Sequence, residues 1–458
     1  MRIGISHLDP LRAGRQCSRK AGTGSVGDAE RGAPSRIPGT PFQEDALVKT
    51  LARITAAGLV ALAASTALAA PMSLKIAFVD PLSGGGASTG EAGLKTFQFM
   101  ADQINAKNPD LKLEVTGYDN KLNPQESLVQ LQKAIDSGAR VVVQGNGSSV
   151  GAALIDFVGK YNDRNPGKEI LYLNYAAVDP ALTNAKCNYW HFRFDANSDI
   201  KMQALTNYIK GKPEIKKVYL INQDYSHGQA VRAAARAMLK EKRPDIQIVG
   251  DEVAPLQKVN DFSPYIAKIK ASGADTVITG NWAQDMALLL KAAGDAGLPA
   301  NFYTYYGGGS GGPTAIKQAN LPDRVFQISE GYANIDYKPG HDFEAAFRAK
   351  TGQELTYPRV VNLMNILAKA TLAAKSTDPK AIAKAMDSIH NDTLYGKDSF
   401  IRPDDHQIFQ PIYISRFGPV DTAKVLDSEN TGWGWTGDGV VEAKDTLLPT
   451  TCKMDRPS

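Results

Sequence analysis

The stretch "VVVQGNGSSVGAALIDF", residues 141–157, places two hydroxyls in a glycine-rich loop between an apolar run and a helical pattern. Gly147-Ser148-Ser149-Val150-Gly151 fits G-x-S-x-G, the sharp strand-to-helix turn that exposes a nucleophilic serine. The same residues could instead form an anion-binding rim. In that arrangement the Ser148 and Ser149 hydroxyls and the backbone N–H groups of a helix start hold a negative charge without reacting. Catalysis by Ser149 requires an acid, a histidine further along the chain and an oxyanion donor loop. His227, His341, His390 and His406 follow it, but none stands out as the partner, and no HGGG-type run occurs. A holding role is the stronger expectation. A secreted serine hydrolase using Ser149 is the alternative.

Other chemistry-bearing patterns are weaker. Gly307-x-Gly309-x-x-Gly312, in "GGGSGG", formally fits the dinucleotide fingerprint, but Pro313 follows it and no acid-bearing second strand is evident about 20 residues on. A flexible cleft loop is the better expectation. No phosphate-cradling Walker loop is present, the histidines show no metal-ligand spacing with the cysteines, and no cofactor is expected. The aromatic residues are more telling. Tyr225 in "NQDYSHG" and Trp282 in "TGNWAQD" lie among polar turn residues, which suits flat walls of a wet cleft better than a core. Tyr305 and Tyr306 precede the glycine loop. Successive strand residues face opposite ways, so one of them packs inward, and Tyr306 is taken as the one facing a ligand.

The elements that must position these residues recur as one unit: a β-rich apolar run, a small-polar loop, an amphipathic helix. "LKIAFVDPLSGGGASTGEAG" runs into a helix with Leu94, Phe97, Ala101 and Ile104 on one face. "LKLEVTGYDN" is a strand. Asn123 then caps a helix with Pro124 at its first position, and Gly138 ends it. "RVVVQG" and "EILYLNYAAV" are further strands. After Phe192-Arg193-Phe194 the alternation restarts with "IKKVYLINQDYSHG", "IQIVGDEVAPL", "DTVITGNWAQDM" and "NFYTYYGGG". Ser263-Pro264 opens one of the intervening helices and Gly273 closes it. Strands alternating with helices imply α/β architecture, here two doubly wound parallel-sheet lobes with loops at the carboxyl ends of the strands. The segment 335–390 is helical and "QPIYISRFG" is again a strand, so the chain crosses between lobes more than once. Ligands sit outside the carboxyl ends of such strands, which makes the interlobe cleft the natural site.

The segment "LARITAAGLVALAASTALAA", residues 51–70, has an apolar core from Ile54, with Lys49 and Arg53 before it and Ala67-Leu68-Ala69 near its end. This is the pattern of a secretory signal peptide cut after Ala69; it is too short and alanine-rich for a membrane span. Position 70 is not cysteine, so the lipid-anchored form is not expected. Residues 1–47 are rich in Arg, Gly, Ser and Pro and lack apolar periodicity. Translation starting at Val48 accounts for them, with a disordered extension as the alternative. Cleavage leaves 389 residues, a length for two domains, and removes nine basic and five acidic residues to leave 43 of each. Nothing in that balance points to nucleic acid, and the expected location is the periplasm. Cys187 and Cys452 remain, and one disulfide tying the tail to the body is the simplest expectation; two free buried thiols are the alternative.

The motifs "KIAFVDPLSGGGASTGEAG", "GNGSSVG", "YLNYAAVDPALTN", "INQDYSHGQA", "DFSPYIAKIKASGADTVITGNWAQD" and "RPDDHQ" occur in the order of a known family. Over about residues 73–445 the chain resembles the leucine/isoleucine/valine-type periplasmic binding proteins, the solute-binding subunits of branched-chain amino acid ABC transporters. The resemblance implies a type I periplasmic binding fold: two lobes joined by three crossovers, closing on a small solute and presenting it to an inner-membrane ABC permease. It implies a binding protein, not an enzyme. The lobes expected are residues 70–194 with about 331–405, and 195–330 with about 406–450, followed by a tail at 451–458. By this resemblance Ser148, in the loop with Gly147 and Ser149, matches the hydroxyl that binds the solute carboxylate. Ala176, Ala177 and Val178 match the neighbouring stretch, and Thr89, Tyr225 and Trp282 match side-chain walls.

Two departures bear on the solute. Val178 stands where the amino-acid binders have a threonine hydroxyl, and the 307–312 glycine run stands where they have the glutamate that pairs with the solute ammonium. Burying an ammonium without a carboxylate partner is costly. An aromatic or other carboxylic acid stacked on Tyr225 and Trp282 therefore fits better than a leucine-like zwitterion, unless Asp285 or Glu330 supplies the missing acid.

Overall fold

The computed structural model describes residues 70–457; the leader assigned to residues 1–69 lies outside them. Five strands, β1 (Met72–Asp80), β2 (Leu111–Asp119), β3 (Val141–Gln144), β4 (Leu171–Asn174) and β5 (His191–Arg193), pair in parallel in the order β2-β1-β3-β4-β5. The next five repeat the arrangement. Strands β6 (Lys217–Gln223), β7 (Gln247–Ala254), β8 (Thr276–Thr279), β9 (Asn301–Thr304) and β10 (Val325–Ser329) pair in the order β7-β6-β8-β9-β10. Every residue of Val141–Gln144 and of Thr276–Thr279 is buried, as expected of parallel strands covered on both faces.

The covering helices are α1 (Ala87–Lys107), α2 (Pro124–Asp136), α3 (Ser148–Arg164), α4 (Ser198–Ile209), α5 (Ser226–Lys242), α6 (Ser263–Ser272), α7 (Ala283–Asp295) and α8 (Gly312–Gln318). Their ends follow local chemistry. The Asn123 side chain accepts the Glu126 N–H at 2.9 Å ahead of Pro124, a cap worth about 1 kcal/mol. Gly273, at φ 66°, takes the left-handed position that closes α6. Helix α3 lays Val150, Leu154 and Val158 onto the first sheet's core with Val143 and Leu173, while α7 lays Met286, Leu289 and Leu290 onto the second with Val277 and Phe302.

The chain then returns to the first lobe through α9 (Lys338–Thr351), α10 (Pro358–Ala374) and α11 (Pro379–Met386). Helix α10 is apolar nearly all round and is packed between α1 and α11. Strands β11 (His390–Asp392), β12 (Asp398–Arg402) and β13 (Gln407–Phe409) extend the first sheet beyond β5. Strands β14 (Ile412–Pro419) and β15 (Trp433–Val441) extend the second sheet antiparallel beyond β10. The boundary expected near residue 405 is therefore early: β13 pairs with β5 through Gln407 and Arg193, and the last crossing comes after Phe409. The tail then comes back to the first lobe. Thr451 N–H donates to Asn184 Oδ1 at 2.9 Å, and Cys187 and Cys452 are joined as a disulfide with a Cα–Cα distance of 5.7 Å. Arg456 pairs with Asp387 at 2.6 Å.

The strand expected over "EILYLNYAAV" stops at Asn174. The Asn174 side-chain oxygen accepts the N–H groups of Ala176 at 3.1 Å and Ala177 at 2.8 Å, and this local turn competes with the sheet ladder. Residues 175–179 form a loop at the strand's carboxyl end instead.

Candidate functional site

In each lobe the strand order reverses between two neighbours, β1 and β3 in the first, β6 and β8 in the second. Helices leaving such a pair go to opposite faces and open a crevice. The loops after these four strands carry the site.

Asp80 closes β1 and organises the first crevice. Its fully buried carboxylate accepts from Tyr175 Oη at 2.6 Å, the Asn146 N–H at 2.9 Å, the Gly145 N–H at 3.0 Å and Gln144 Nε2 at 3.4 Å. Burial pushes its pKa up to about 7 against the pull of these bonds. The bonds hold the loop at 145–147 in place. Gly147 then turns the chain into α3 at φ 89°; a Cβ there would be strained and would sit 2.9 Å from Leu122 Cδ1. Ser148 follows, buried, its hydroxyl accepting the Asp179 N–H at 3.2 Å and keeping its own hydrogen to donate. Val178 is fixed beside it by Ser198, whose Oγ donates to the Val178 carbonyl at 2.9 Å.

In the second lobe Tyr225 and Trp282 are the extended residues immediately before α5 and α7. The indole Nε1–H donates to Tyr225 Oη at 2.9 Å, locking the two rings together. Ala283, next in the chain, is held at φ 50°, a left-handed position that costs a non-glycine residue about 1 kcal/mol or more and turns the backbone into α7. His227 sits behind the rings with Nδ1 2.7 Å from Ser198 Oγ and Nε2 3.1 Å from the Gly280 carbonyl. A carbonyl only accepts, so Nε2 carries the hydrogen and Nδ1 accepts, sharing the single Ser198 hydroxyl hydrogen with the Val178 carbonyl. Burial pulls the pKa down to about 4, and the ring is neutral near pH 7.

These loops enclose a cavity between the two sheets with about 590 Å³ not filled by atoms, part of it open to solvent. Of the expected site residues, Thr89, Gly147, Ser148, Ala176, Val178, Tyr225, Trp282 and Tyr306 line it. Tyr305 does so as well, although its ring belongs to the core and its hydroxyl donates to the Ser198 carbonyl at 2.9 Å. Two expected residues do not line it. Ser149 lies one position further round the first turn of α3 and is exposed. Ala177 is buried, its N–H spent on Asn174. Among the described residues no histidine bonds Ser149, so the parts of a hydrolase are not assembled around it.

Residues not expected from the sequence also line the cavity, among them Asn146, His227, Gln327, Thr356, Tyr357 and Arg359. Two of these carry a local signal: Gln327 is polar within the apolar strand "VFQIS", and Arg359 is a charge at the start of the almost wholly buried α10. Among the described residues no Asp or Glu lines the cavity. The acids that could have replaced the missing glutamate are engaged elsewhere. Asp285 accepts from Gln223 Nε2 at 2.7 Å and from the Gln257 N–H at 2.8 Å. Glu330 accepts Arg359 Nε at 2.8 Å. Arg359 Nη1 reaches Asp195 at 2.8 Å, and Lys201 meets the same carboxylate at 3.0 Å. Burial opposes the Arg359 charge, but the Asp195 and Glu330 carboxylates outweigh it and raise the pKa further. Asp195 lies where the chain first leaves the first lobe and Glu330 where it returns, so Arg359 ties two crossings together beside the cavity.

A sequence profile of the family described as "Periplasmic binding protein" matches residues 73–422, most of the chain. The chain belongs to the periplasmic binding protein family. Within that family it is 33% identical over 419 residues to the Leu/Ile/Val-binding protein homolog 4 of Brucella abortus (strain 2308), covering 88% of this chain and 98% of that one. It superposes with a TM-score of 0.75 and 31% identity on the closed conformation of a leucine-, isoleucine-, valine-, threonine- and alanine-binding protein from Brucella ovis, covering 84% of this chain and 100% of that one. A solute-binding protein from an R. palustris ABC transporter, solved with benzoate, shares the fold at a TM-score of 0.70 and 17% identity, over 83% of this chain and 99% of that one. The first two are named as amino-acid-binding proteins and the third as the solute-binding protein of an ABC transporter. The periplasmic binding protein described here accordingly has the type I architecture, with cavity-lining loops at the two switch points. No helix among its described residues is long and apolar enough to cross a membrane.

Proposed function

We propose that the chain is the periplasmic solute-binding subunit of an ABC importer of the branched-chain amino acid type, and that its solute is a small carboxylic acid, aromatic rather than leucine-like. The supporting observation is the lining of the cleft. The N-termini of α3, α5 and α7 open at Gly147, Tyr225 and Trp282, each a source of partial positive charge, and no carboxylate lines the cavity among the described residues. An acid headgroup is favoured at Ser148, and an α-ammonium has no partner. The rings of Tyr225, Trp282 and Tyr306 supply flat apolar area for the rest of the molecule. The lobes close on the solute by hinge motion and present it to the permease.

A thermal-shift screen of carboxylic acids against amino acids tests this. An aromatic acid is expected to raise the melting temperature in proportion to its concentration over its Kd. The relatives' names favour the competing assignment, so leucine, isoleucine and valine belong in the same screen. Stabilisation by these three with none by any aromatic acid would refute the proposed solute class.

A further inference from the structure

We infer that the C-terminal tail is a fourth link between the lobes, and that its disulfide makes this link a stop on cleft opening. The role requires hinge closure but no particular solute.

The backbone passes between the lobes three times, at 194–197, 330–337 and 410–411, and after the third it builds β14 and β15 of the second sheet. The next residues stay on the second lobe. Asn207 Nδ2, on α4, donates to the Asp445 carbonyl at 3.1 Å, and Ala443 and Leu448 pack against the second lobe's core. Beyond that the chain is held by the first lobe. The Leu448 carbonyl accepts Arg402 Nη1, on β12, at 2.6 Å. Asn184 Oδ1 accepts the Thr451 N–H at 2.9 Å and the Thr450 hydroxyl at 3.2 Å. Cys452 is bonded to Cys187, Met454 packs against the first lobe's core, and Arg456 pairs with Asp387. Leu448 thus touches both lobes, with its side chain on the second and its carbonyl on the first.

The link is short. Leu448 and Cys452 are four positions apart, so even fully extended the chain between them spans at most about 14 Å. Pro449 fixes one backbone torsion and disfavours helical folding at Leu448, so little length is held in reserve. Without a covalent anchor such a tail would restrain nothing. Terminal residues fray, and an exposed pair such as Arg456 with Asp387 is weak. The disulfide keeps the tail on Cys187, so parting the lobes has to stretch residues 449–451 or pull Leu448 from the second core. Both ends are seated while the lobes touch across the cleft: Arg348 Nη1, on α9, donates to the Asp427 carbonyl, in the loop between β14 and β15, at 3.1 Å. The tail therefore fits the closed arrangement, and wide opening works against it. A solute that binds the closed form is held in proportion to the fraction of protein able to adopt it. A stop that removes wide-open states raises affinity without touching the ligand.

The test is small-angle X-ray scattering of the ligand-free protein in three forms. These are the oxidised wild type, Cys187→Ser with Cys452→Ser, and a chain with about six Gly/Ser residues inserted between Leu448 and Pro449, which keeps the disulfide but slackens the link. Each is measured at a temperature where circular dichroism shows it folded. Both altered chains are expected to have a larger radius of gyration than the wild type, and to bind benzoate about two-fold or more weakly by calorimetry. Equal ligand-free radii in all three would overturn the inference. So would a larger radius in the serine pair alone, because the disulfide would then act through something other than the length of the link. If the serine pair does not fold, the insertion decides by the same comparison. Failure of benzoate to bind any of the three would count against the proposed solute class and leave the scattering to decide the link.

Discussion

Replacing His227 with glutamine isolates a proton-linked contribution to stability. The imidazole is buried between Ser198 and the Gly280 carbonyl, and burial lowers its pKa from 6.5 to about 4. In the unfolded chain the group titrates near its ordinary value. Between those two values the unfolded state takes up a proton that the folded state refuses. Stability is thus intact above about pH 6.5 and is lost as the pH falls toward 4. One pKa unit corresponds to about 1.4 kcal/mol, so His227 accounts for a loss of about 1 kcal/mol near pH 5.5 and roughly 2–3 kcal/mol near pH 4.5. Glutamine has no proton to exchange in that range. Urea unfolding of the oxidised wild type and of His227→Gln, at intervals between those conditions and neutral pH, reads the difference directly. The wild type should lose more stability on acidification, by about the amounts given. A difference between the two proteins that does not change with pH would refute the reasoning. A difference of opposite sign would mean that the folded ring is charged and donates from both nitrogens.

Ser148→Ala removes the free hydroxyl hydrogen beside the α3 N-terminus and should weaken solute binding by about 1–3 kcal/mol, read by calorimetry. Trp282→Ala removes the ring locked to Tyr225 and should cost an aromatic acid more affinity than a small aliphatic one; equal losses would count against stacking. Cys187→Ser with Cys452→Ser opens a closure spanning 265 residues, for which the chain-entropy limit is about 5.6 kcal/mol, and a destabilisation of roughly 2–5 kcal/mol is expected in urea titrations. Gly147→Ala places a side chain at φ 89° against Leu122 and should lower both the melting temperature and the affinity, whereas the same change at Gly167, also at positive φ but facing open space, should lower the melting temperature alone.

The sequence by itself determined the elements and their order. Asn123, Pro124 and Gly273 mark helix ends through contacts within four residues, and the apolar runs of β3 and β8 can only be strands buried on both faces. With a parallel sheet implied, the cleft falls to the loops at the strands' carboxyl ends, which is why Ser148, Tyr225 and Trp282 could be picked out as candidates, and all three line the cavity. Ser149 and Ala177 could not be sorted from their neighbours. Which of two adjacent residues faces a cleft depends on the turn of α3 and on the Asn174 side chain, not on residue type. Only the tertiary structure decided the rest. Asp80 grips a loop 66 residues away, and Arg359 meets a carboxylate 164 positions earlier in the chain. Such partners share no local pattern. Their value comes from desolvation and direct contact, which exist only once the two sheets have brought them together.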